Sequence, residues 1–335
     1  MKAYVIQKGA TRLDQLVRVE LPDPRPGPGQ ILVRMHAASL NYRDQMIIVG
    51  RYMGGPIARD TVPISDGAGE VVEIGSGVTR FKVGDRIAST FFQGWVDGPP
   101  PGILPALGNP VDGVLAERVV FNQSDAVALP KSLSYEEGAT LTCAGVTAWH
   151  AVVRIASIRP GQTVLVLGTG GVSIFAAQIA KAAGARVIMT SSSDPKLERA
   201  RALGVDTGIN YNRTPEWEQE VLKVTDGRGV DCVVEVGGPG TLARSYRSVG
   251  FGGRIALIGF LAGFEGDTNP GPLMGKGASL HGVFVGSRAM LEELGRAVEA
   301  NAIKPVIDRV FDFEAVHAAF DYQKRGAFGK VVIQI

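Results

Sequence analysis

The segment Val164-Leu165-Val166-Leu167-Gly168-Thr169-Gly170-Gly171-Val172-Ser173 constrains this chain more than any other stretch. An apolar, β-branched run stops at a glycine turn, and Ile174-Phe175-Ala176-Ala177-Gln178-Ile179-Ala180 opens a helix at once. Gly168 permits the tight turn, and Gly170 lets a ligand approach the backbone. The amides of Gly171, Val172 and Ser173 then lie at a helix N-terminus, where they can hold a pyrophosphate. The pattern is G-x-G-x-x-S, with Ser173 at the place of the usual third glycine or alanine. Such a turn also occurs in ordinary helix packing. A strand before it, a helix after it and further alternation downstream favour a dinucleotide site.

That alternation is present. Strands are predicted at 186–190, around Ile209, and at 231–236, 254–258 and 279–285, with helices between most of them. This order gives a parallel, doubly wound sheet. The part before Ser134 reads differently. MKAYVIQ, QLVRVELP and GQILVRMHAASL are short strand-like runs, separated in one place by Pro22-Asp23-Pro24-Arg25-Pro26-Gly27-Pro28-Gly29, which admits neither helix nor central strand. Gly67–Gly75, the turn at Phe81–Ala88 and Ala116–Val120 continue the β pattern, whereas Tyr135–Ile155 carries helical spacing. The end holds a helix at Met290–Asn301 and a closing strand at Lys330–Ile335. The fold class is α/β in two domains: a β-rich domain over residues 1–125, a nucleotide-binding domain over 126–285, and a segment, 286–335, returning to the first.

With 45% hydrophobic and 20% charged residues, the 335-residue chain can bury a sizeable core, which excludes a disordered protein. Net charge is +2, with 35 basic against 33 acidic residues and no basic block, so nucleic acid is not an expected partner. No apolar run is long enough to span a membrane, and MKAYVIQKGA lacks the apolar stretch of a signal peptide. Two cysteines, Cys143 and Cys232, make no disulfide framework, so the expected compartment is the reducing cytoplasm.

The end of the second strand of the doubly wound sheet separates NAD from NADP. An NAD site places a carboxylate there for the ribose 2′-hydroxyl. Here it reads Thr190-Ser191-Ser192-Ser193, and Asp194-Pro195 reads as a helix N-cap followed by proline at the first helical position. Lys196 and Arg199 fall on the first turns of that helix, either as a solvated face or beside a 2′-phosphate, and the cofactor expected is NADPH.

Ala38-Ser39-Leu40-Asn41-Tyr42-Arg43-Asp44, Asp66-Gly67-Ala68-Gly69-Glu70-Val71-Val72, Val83-Gly84-Asp85-Arg86, the Gly168 turn and Gly329-Lys330-Val331-Val332 follow one another in a specific order. In these segments the chain resembles the medium-chain dehydrogenase/reductase superfamily over essentially its whole length, and within it the zinc-free quinone oxidoreductase-like branch. The resemblance implies a GroES-like substrate domain, a Rossmann domain, hydride transfer, and a homodimer or homotetramer. It places Lys196 and Tyr211 at the 2′-phosphate together with Ser191 and Ser192 of the same turn, Thr147 beside the nicotinamide, the Val283 and Val285 backbone at the carboxamide, and Lys330 near the pyrophosphate. Lys330 could equally be an exposed strand charge.

The departures from the zinc alcohol dehydrogenases bear on chemistry. Their first cysteine ligand is Asn41 here, their His-Glu pair is Ser65-Asp66, and only Cys143 still matches. A tetrahedral catalytic zinc needs three protein ligands, and Cys143 with Asp66 gives at most two. Gly94–Gly113, where a structural-zinc lobe would lie, has no cysteine. Asp44 then serves local backbone or Arg43, and Arg43 replaces the hydroxyl of the zinc enzymes' proton relay. No metal is expected.

Without a Lewis acid, oxidising a simple alcohol is hard, whereas an electrophilic carbon accepts hydride if hydrogen bonds hold the oxygen that gains charge. Asn41, Tyr42 and Tyr52 are the candidate oxygen partners, each tyrosine being also compatible with plain packing. Phe91-Phe92-Gln93-Gly94-Trp95 with Pro99-Pro100-Pro101 reads as a wall of an apolar substrate pocket or as packing against a neighbour. The expected function is NADPH-dependent, zinc-independent reduction of a small apolar quinone or α,β-unsaturated carbonyl. The alternatives are an alcohol or aldehyde dehydrogenase of the superfamily, or a low-turnover NADPH-binding protein.

Overall fold

A computed structural model describes residues 1–335, which divide into two compact units: Met1–Val146 with Gly286–Ile335, and Thr147–Val285. No helix is long and apolar enough to cross a membrane.

The first unit begins with the antiparallel pair β1 (Lys2–Ile6) and β2 (Leu16–Glu20). Then come β3 (Gln30–Ser39), α1 (Tyr42–Ile48), β4 (Asp66–Ile74), β5 (Arg86–Ser89), β6 (Arg118–Asn122), β7 (Ala126–Ala128) and α2 (Tyr135–Ala139). β3 is the hub. It pairs antiparallel with β4 along its length, with β6 over Gln30–Arg34, and with a strand from the chain's end over Ala37–Ser39. The core of the unit gathers Ile31, Val33, Val71, Phe121, Phe320 and Val331, so residues about 290 apart in sequence share one interior. Residues 126–146, assigned by the sequence to the second domain, pack in this unit, because α2 lies against β3 and β4.

From Tyr135 to Ile155 the backbone is helical, as the spacing predicts, but not uniformly. α3 (Val146–Trp149) is flanked by two wider π turns at Leu141–Gly145 and His150–Ile155. Such wide turns insert one residue into a helix and cluster at functional positions.

The second unit alternates strand and helix: β8 (Thr163–Leu167), α4 (Gly171–Ala182), β9 (Arg186–Ser191), α5 (Asp194–Ala202), β10 (Thr207–Asn210), α6 (Trp217–Val224), β11 (Val230–Glu235), α7 (Pro239–Ser248), β12 (Val249–Leu257), α8 (Gly271–Lys276) and β13 (Ser279–Gly282). The six strands are parallel in the order β10-β9-β8-β11-β12-β13. The order reverses at β8, which ends in the glycine turn, and in such sheets ligands bind at that reversal. β8 is buried along its whole length, as expected of a strand covered on both faces.

The chain ends in the first unit with α9 (Arg288–Ala300), β14 (Ile307–Asp312), α10 (Val316–Lys324) and β15 (Lys330–Gln334). β15 pairs with β3 and carries Lys330 at its start.

Candidate active site

The glycine turn has the geometry a dinucleotide needs. Gly168 lies at φ +74°, a region costly for any residue with a Cβ. Gly170 is the N-cap of α4 in extended conformation, and a Cβ built there would meet no protein atom within 4 Å, leaving open space over the amides of Gly171 and Val172. Ser173 faces inward and its hydroxyl donates to Leu167 O at 2.7 Å, which explains why it serves in place of glycine.

At the end of β9 the residues differ in detail from the sequence reading. Ser193, not Asp194, is the N-cap of α5, with Asp194 and Pro195 inside the first turn, because the Ser193 hydroxyl reaches the Lys196 N–H. Ser191 is buried, its hydroxyl accepting from Ser193 N–H, and its carbonyl accepts from Tyr211 N–H at 3.0 Å. Ser192 is exposed, and its carbonyl accepts from the Asn212 amide. The structure thus brings Ser191, Ser192, Lys196 and Tyr211 to one edge of the sheet. It adds Arg213, which the sequence analysis missed. Arg213 and Asn210 both donate to the Asp194 carboxylate, at 2.6 and 2.9 Å, and the Arg213 charge offsets that of Asp194. The signal available was a basic residue two places after Tyr211, but its partner is set by the pairing of β9 with β10.

Thr147 is buried in α3 between the two wide turns. Past β13, the Val283 N–H donates to Leu257 O. Val285 sits at φ +56°, a strained conformation for a β-branched residue, and its carbonyl accepts from His150 Nδ1 at 2.8 Å. Burial lowers the His150 pKa, so the neutral ring carries its proton on Nδ1, since a carbonyl can only accept.

In the first unit, Asn41, Ser65-Asp66, Cys143 and Lys330 converge although they are far apart in sequence. Lys330 is 3% exposed, so it is not a surface strand charge. Its ammonium donates to Leu40 O at 2.7 Å and Asn41 Oδ1 at 2.6 Å and lies 3.6 Å from Asp66 Oδ2. These partners all belong to the first unit. Asp66 is fully buried and also accepts from the Ser65 hydroxyl and the Cys143 N–H. Burial raises its carboxyl, against the opposing pull of Lys330. Burial and the Asp66 charge push the half-buried Cys143 thiol far up, so it stays protonated.

Zinc is the metal such a fold suggests, and this donor set does not fit it. An ammonium already stands beside Asp66, Asn41 is a poor ligand, and no three His, Cys, Asp or Glu side chains gather anywhere as a metal site.

Asp44 Oδ2 accepts from Asn41 N–H at 2.7 Å, closing the start of α1. Arg43 donates to Leu107 O and Asn109 O and lies over the rings of Tyr52 and Phe91. Tyr52 is half-buried against the core, whereas Tyr42 is 54% exposed. The aromatic loop does not form an open wall. Phe91, Phe92 and Trp95 are each about 97% buried and pack against one another, with the Trp95 indole donating to Gly98 O. Large rings bury more favourably together than facing water.

A doubly wound sheet with a glycine turn at its reversal point and a separate β-rich unit define a nicotinamide-dependent oxidoreductase. Residues 27–131 match the alcohol dehydrogenase GroES-like domain and residues 171–300 the zinc-binding dehydrogenase family. The chain is 43% identical, over 99% of both chains, to a zinc-type alcohol dehydrogenase-like protein of Schizosaccharomyces pombe. Among solved structures, a Sinorhizobium meliloti 1021 protein described as an alcohol dehydrogenase superposes with TM-score 0.92 at 44% identity, covering 100% of both chains. An NAD-dependent alcohol dehydrogenase does so with TM-score 0.91 at 34%, again over 100% of both. The chain belongs to the medium-chain dehydrogenase/reductase superfamily and is an NAD(P)H-dependent oxidoreductase.

Proposed function

We propose that this protein is an NADPH-dependent, zinc-independent reductase of the quinone oxidoreductase-like branch, transferring hydride to a quinone or an α,β-unsaturated carbonyl. The observation that carries this reading is the cation at the centre of the first unit's polar cluster. Lys330 stands between Asn41 and Asp66, where a zinc enzyme would need ligands.

When bound, the nicotinamide supplies the hydride, and this chain's residues supply position and charge. The Gly168–Ser173 turn offers backbone amides for the pyrophosphate. Lys196 and Tyr211 receive a 2′-phosphate, at a sheet edge where the Arg213 guanidinium offsets the Asp194 carboxylate. Thr147 and the carbonyls of the Val283–Val285 turn orient the ring, that turn being held by His150. Asn41 donates to the acceptor oxygen as it gains negative charge, and Tyr42 or Tyr52 returns a proton. The small apolar acceptor is the partner, with a second copy of the chain along the open edge of β13.

NADPH oxidation by chelator-treated protein, followed by absorbance with a quinone, an enone and an aldehyde and with NADH alongside, tests the reading. Turnover of quinone or enone with NADPH preferred is the expected result. The names of the relatives favour a second reading, alcohol or aldehyde dehydrogenation. Activity with the aldehyde alone, restored by added zinc, would establish that one instead.

A further inference from the structure

In the loop that follows β13, Val285 keeps a backbone conformation that a β-branched residue ordinarily avoids. Its φ is +56°, and Val283 and Val285 are buried, at 6% and 7% exposed. Strain of that kind persists only where surrounding contacts over-determine it. Two contacts do so here. The Val283 N–H donates to Leu257 O at 2.8 Å, carrying the pairing of β12 with β13 one residue further. The Val285 carbonyl accepts from His150 Nδ1, also at 2.8 Å. All of these residues lie in the second unit.

The wide turn His150–Ile155 explains how a helix residue reaches that carbonyl. Its second residue, Ala151, is buried in one cluster with Ala256 of β12 and Val283, which holds the turn against the sheet. His150, its first residue, is thereby set beside the loop. Burial lowers the His150 pKa, so the ring is neutral near pH 7 and the proton it donates is on Nδ1. Protonation in acid adds a proton at Nε2 and leaves this bond in place.

What the clamp leaves over is one acceptor and one donor. The Val283 N–H and the Val285 carbonyl are both used, whereas the Val283 carbonyl and the Val285 N–H make no hydrogen bond to the protein. A free C=O and a free N–H on one short loop are the complement of a primary amide, whose NH2 donates and whose oxygen accepts.

We propose that His150 is a positioning residue: it holds Val285 at positive φ, and so keeps the Val285 N–H and the Val283 carbonyl in the arrangement that receives the carboxamide of the nicotinamide. The proposal rests on the reading of this loop as the carboxamide site and adds the side chain that gives the loop its shape.

The test uses the full-length protein with three variants. His150→Leu and His150→Ala both remove the donor, the second with a strong helix former in case the first does not fold. In His150→Asn the side-chain Nδ2 stands about where the imidazole Nδ1 does. NADPH affinity is read by fluorescence. The affinity of 2′-phospho-ADP-ribose, the same molecule without nicotinamide, is read by competition, and NADH with ADP-ribose forms a parallel pair. His150→Leu and His150→Ala should each weaken NADPH about tenfold and leave 2′-phospho-ADP-ribose within about twofold. His150→Asn should keep NADPH within about threefold of the native protein. Equal weakening of the whole and the truncated dinucleotide would reduce His150 to a packing residue and overturn the proposal. So would unchanged NADPH binding without the donor, or a loss in His150→Asn as large as in the other two. A native protein that binds NADPH no more tightly than 2′-phospho-ADP-ribose would remove the carboxamide reading itself, and the proposal with it. If NADH binds and NADPH does not, the NADPH reading falls, and the NADH and ADP-ribose pair still decides the role of His150.

Discussion

Asp44 is fully buried, and desolvation raises its carboxyl from the ordinary 3.8 to about 6 despite Arg43. A group whose folded value is raised contributes stability below its unfolded value and loses it as pH climbs through the folded one. The contribution is therefore complete below about pH 4 and gone above about pH 6, with no more than about 3 kcal/mol at stake. Asp44→Asn keeps the acceptor for Asn41 N–H and does not ionise. Melting curves should show the native protein losing ground to Asp44→Asn between pH 4 and 7, and a constant offset would contradict this. At the edge of β9, Lys196→Ala should raise the KM for NADPH about tenfold or more and leave that for NADH within about twofold, the effect of one charge-assisted bond. Arg213→Ala should act in the same direction, by freeing the Asp194 charge. Equal changes for both cofactors would dissociate these residues from the 2′-phosphate. The places of Lys196 in the first turn of α5 and of Tyr211 just after β10 follow from local strand and helix patterns, whereas their role at a 2′-phosphate comes from the family resemblance. The Lys330–Asn41 bond spans 289 residues, and no local pattern encodes it.

At the scale of elements, the Gly168–Ser173 turn discriminates between a cofactor cradle and an ordinary helix start. Gly170→Ala places a methyl in open space, costing under about 1 kcal/mol at the N-cap but intruding where a pyrophosphate would lie. Binding of NADPH should weaken at least about tenfold while Tm falls by no more than about 2–4 °C. Gly168→Ala, at φ +74°, should cost about 1–2 kcal/mol of stability with or without cofactor. Intact NADPH affinity in Gly170→Ala would mean the turn only packs a helix. The β8–turn–α4 unit was readable because its pattern is contiguous. The wide turns on either side of α3 were not, since an inserted residue leaves the apolar spacing nearly unchanged. Nor was the burial of Phe91, Phe92 and Trp95. The Arg43 that covers Phe91 is some fifty residues upstream, and composition does not distinguish a pocket wall from an interior.

The first unit is closed by the chain's last strand, β15, which enters the sheet beside β3 and delivers Lys330 to residues near the beginning of the chain. In the second unit, β13 leaves one edge of the six-stranded sheet open, with Leu280, Phe284 and Met274 exposed around it. Open apolar edges invite strand pairing. A second copy there predicts a dimer by sedimentation, converted to monomer by Leu280→Lys with Phe284→Lys, and a native monomer would contradict it. The central claim is that an internal cation, without zinc, supports hydride delivery to an electrophilic carbon. Its most direct test is the fate of deuterium from 4-deuterated NADPH, incubated with an enone and metal-stripped protein and located in the product by NMR. Deuterium at the β-carbon of the saturated ketone is the predicted result. Deuterium at the carbonyl carbon of an alcohol, formed only once zinc is returned, would contradict the account.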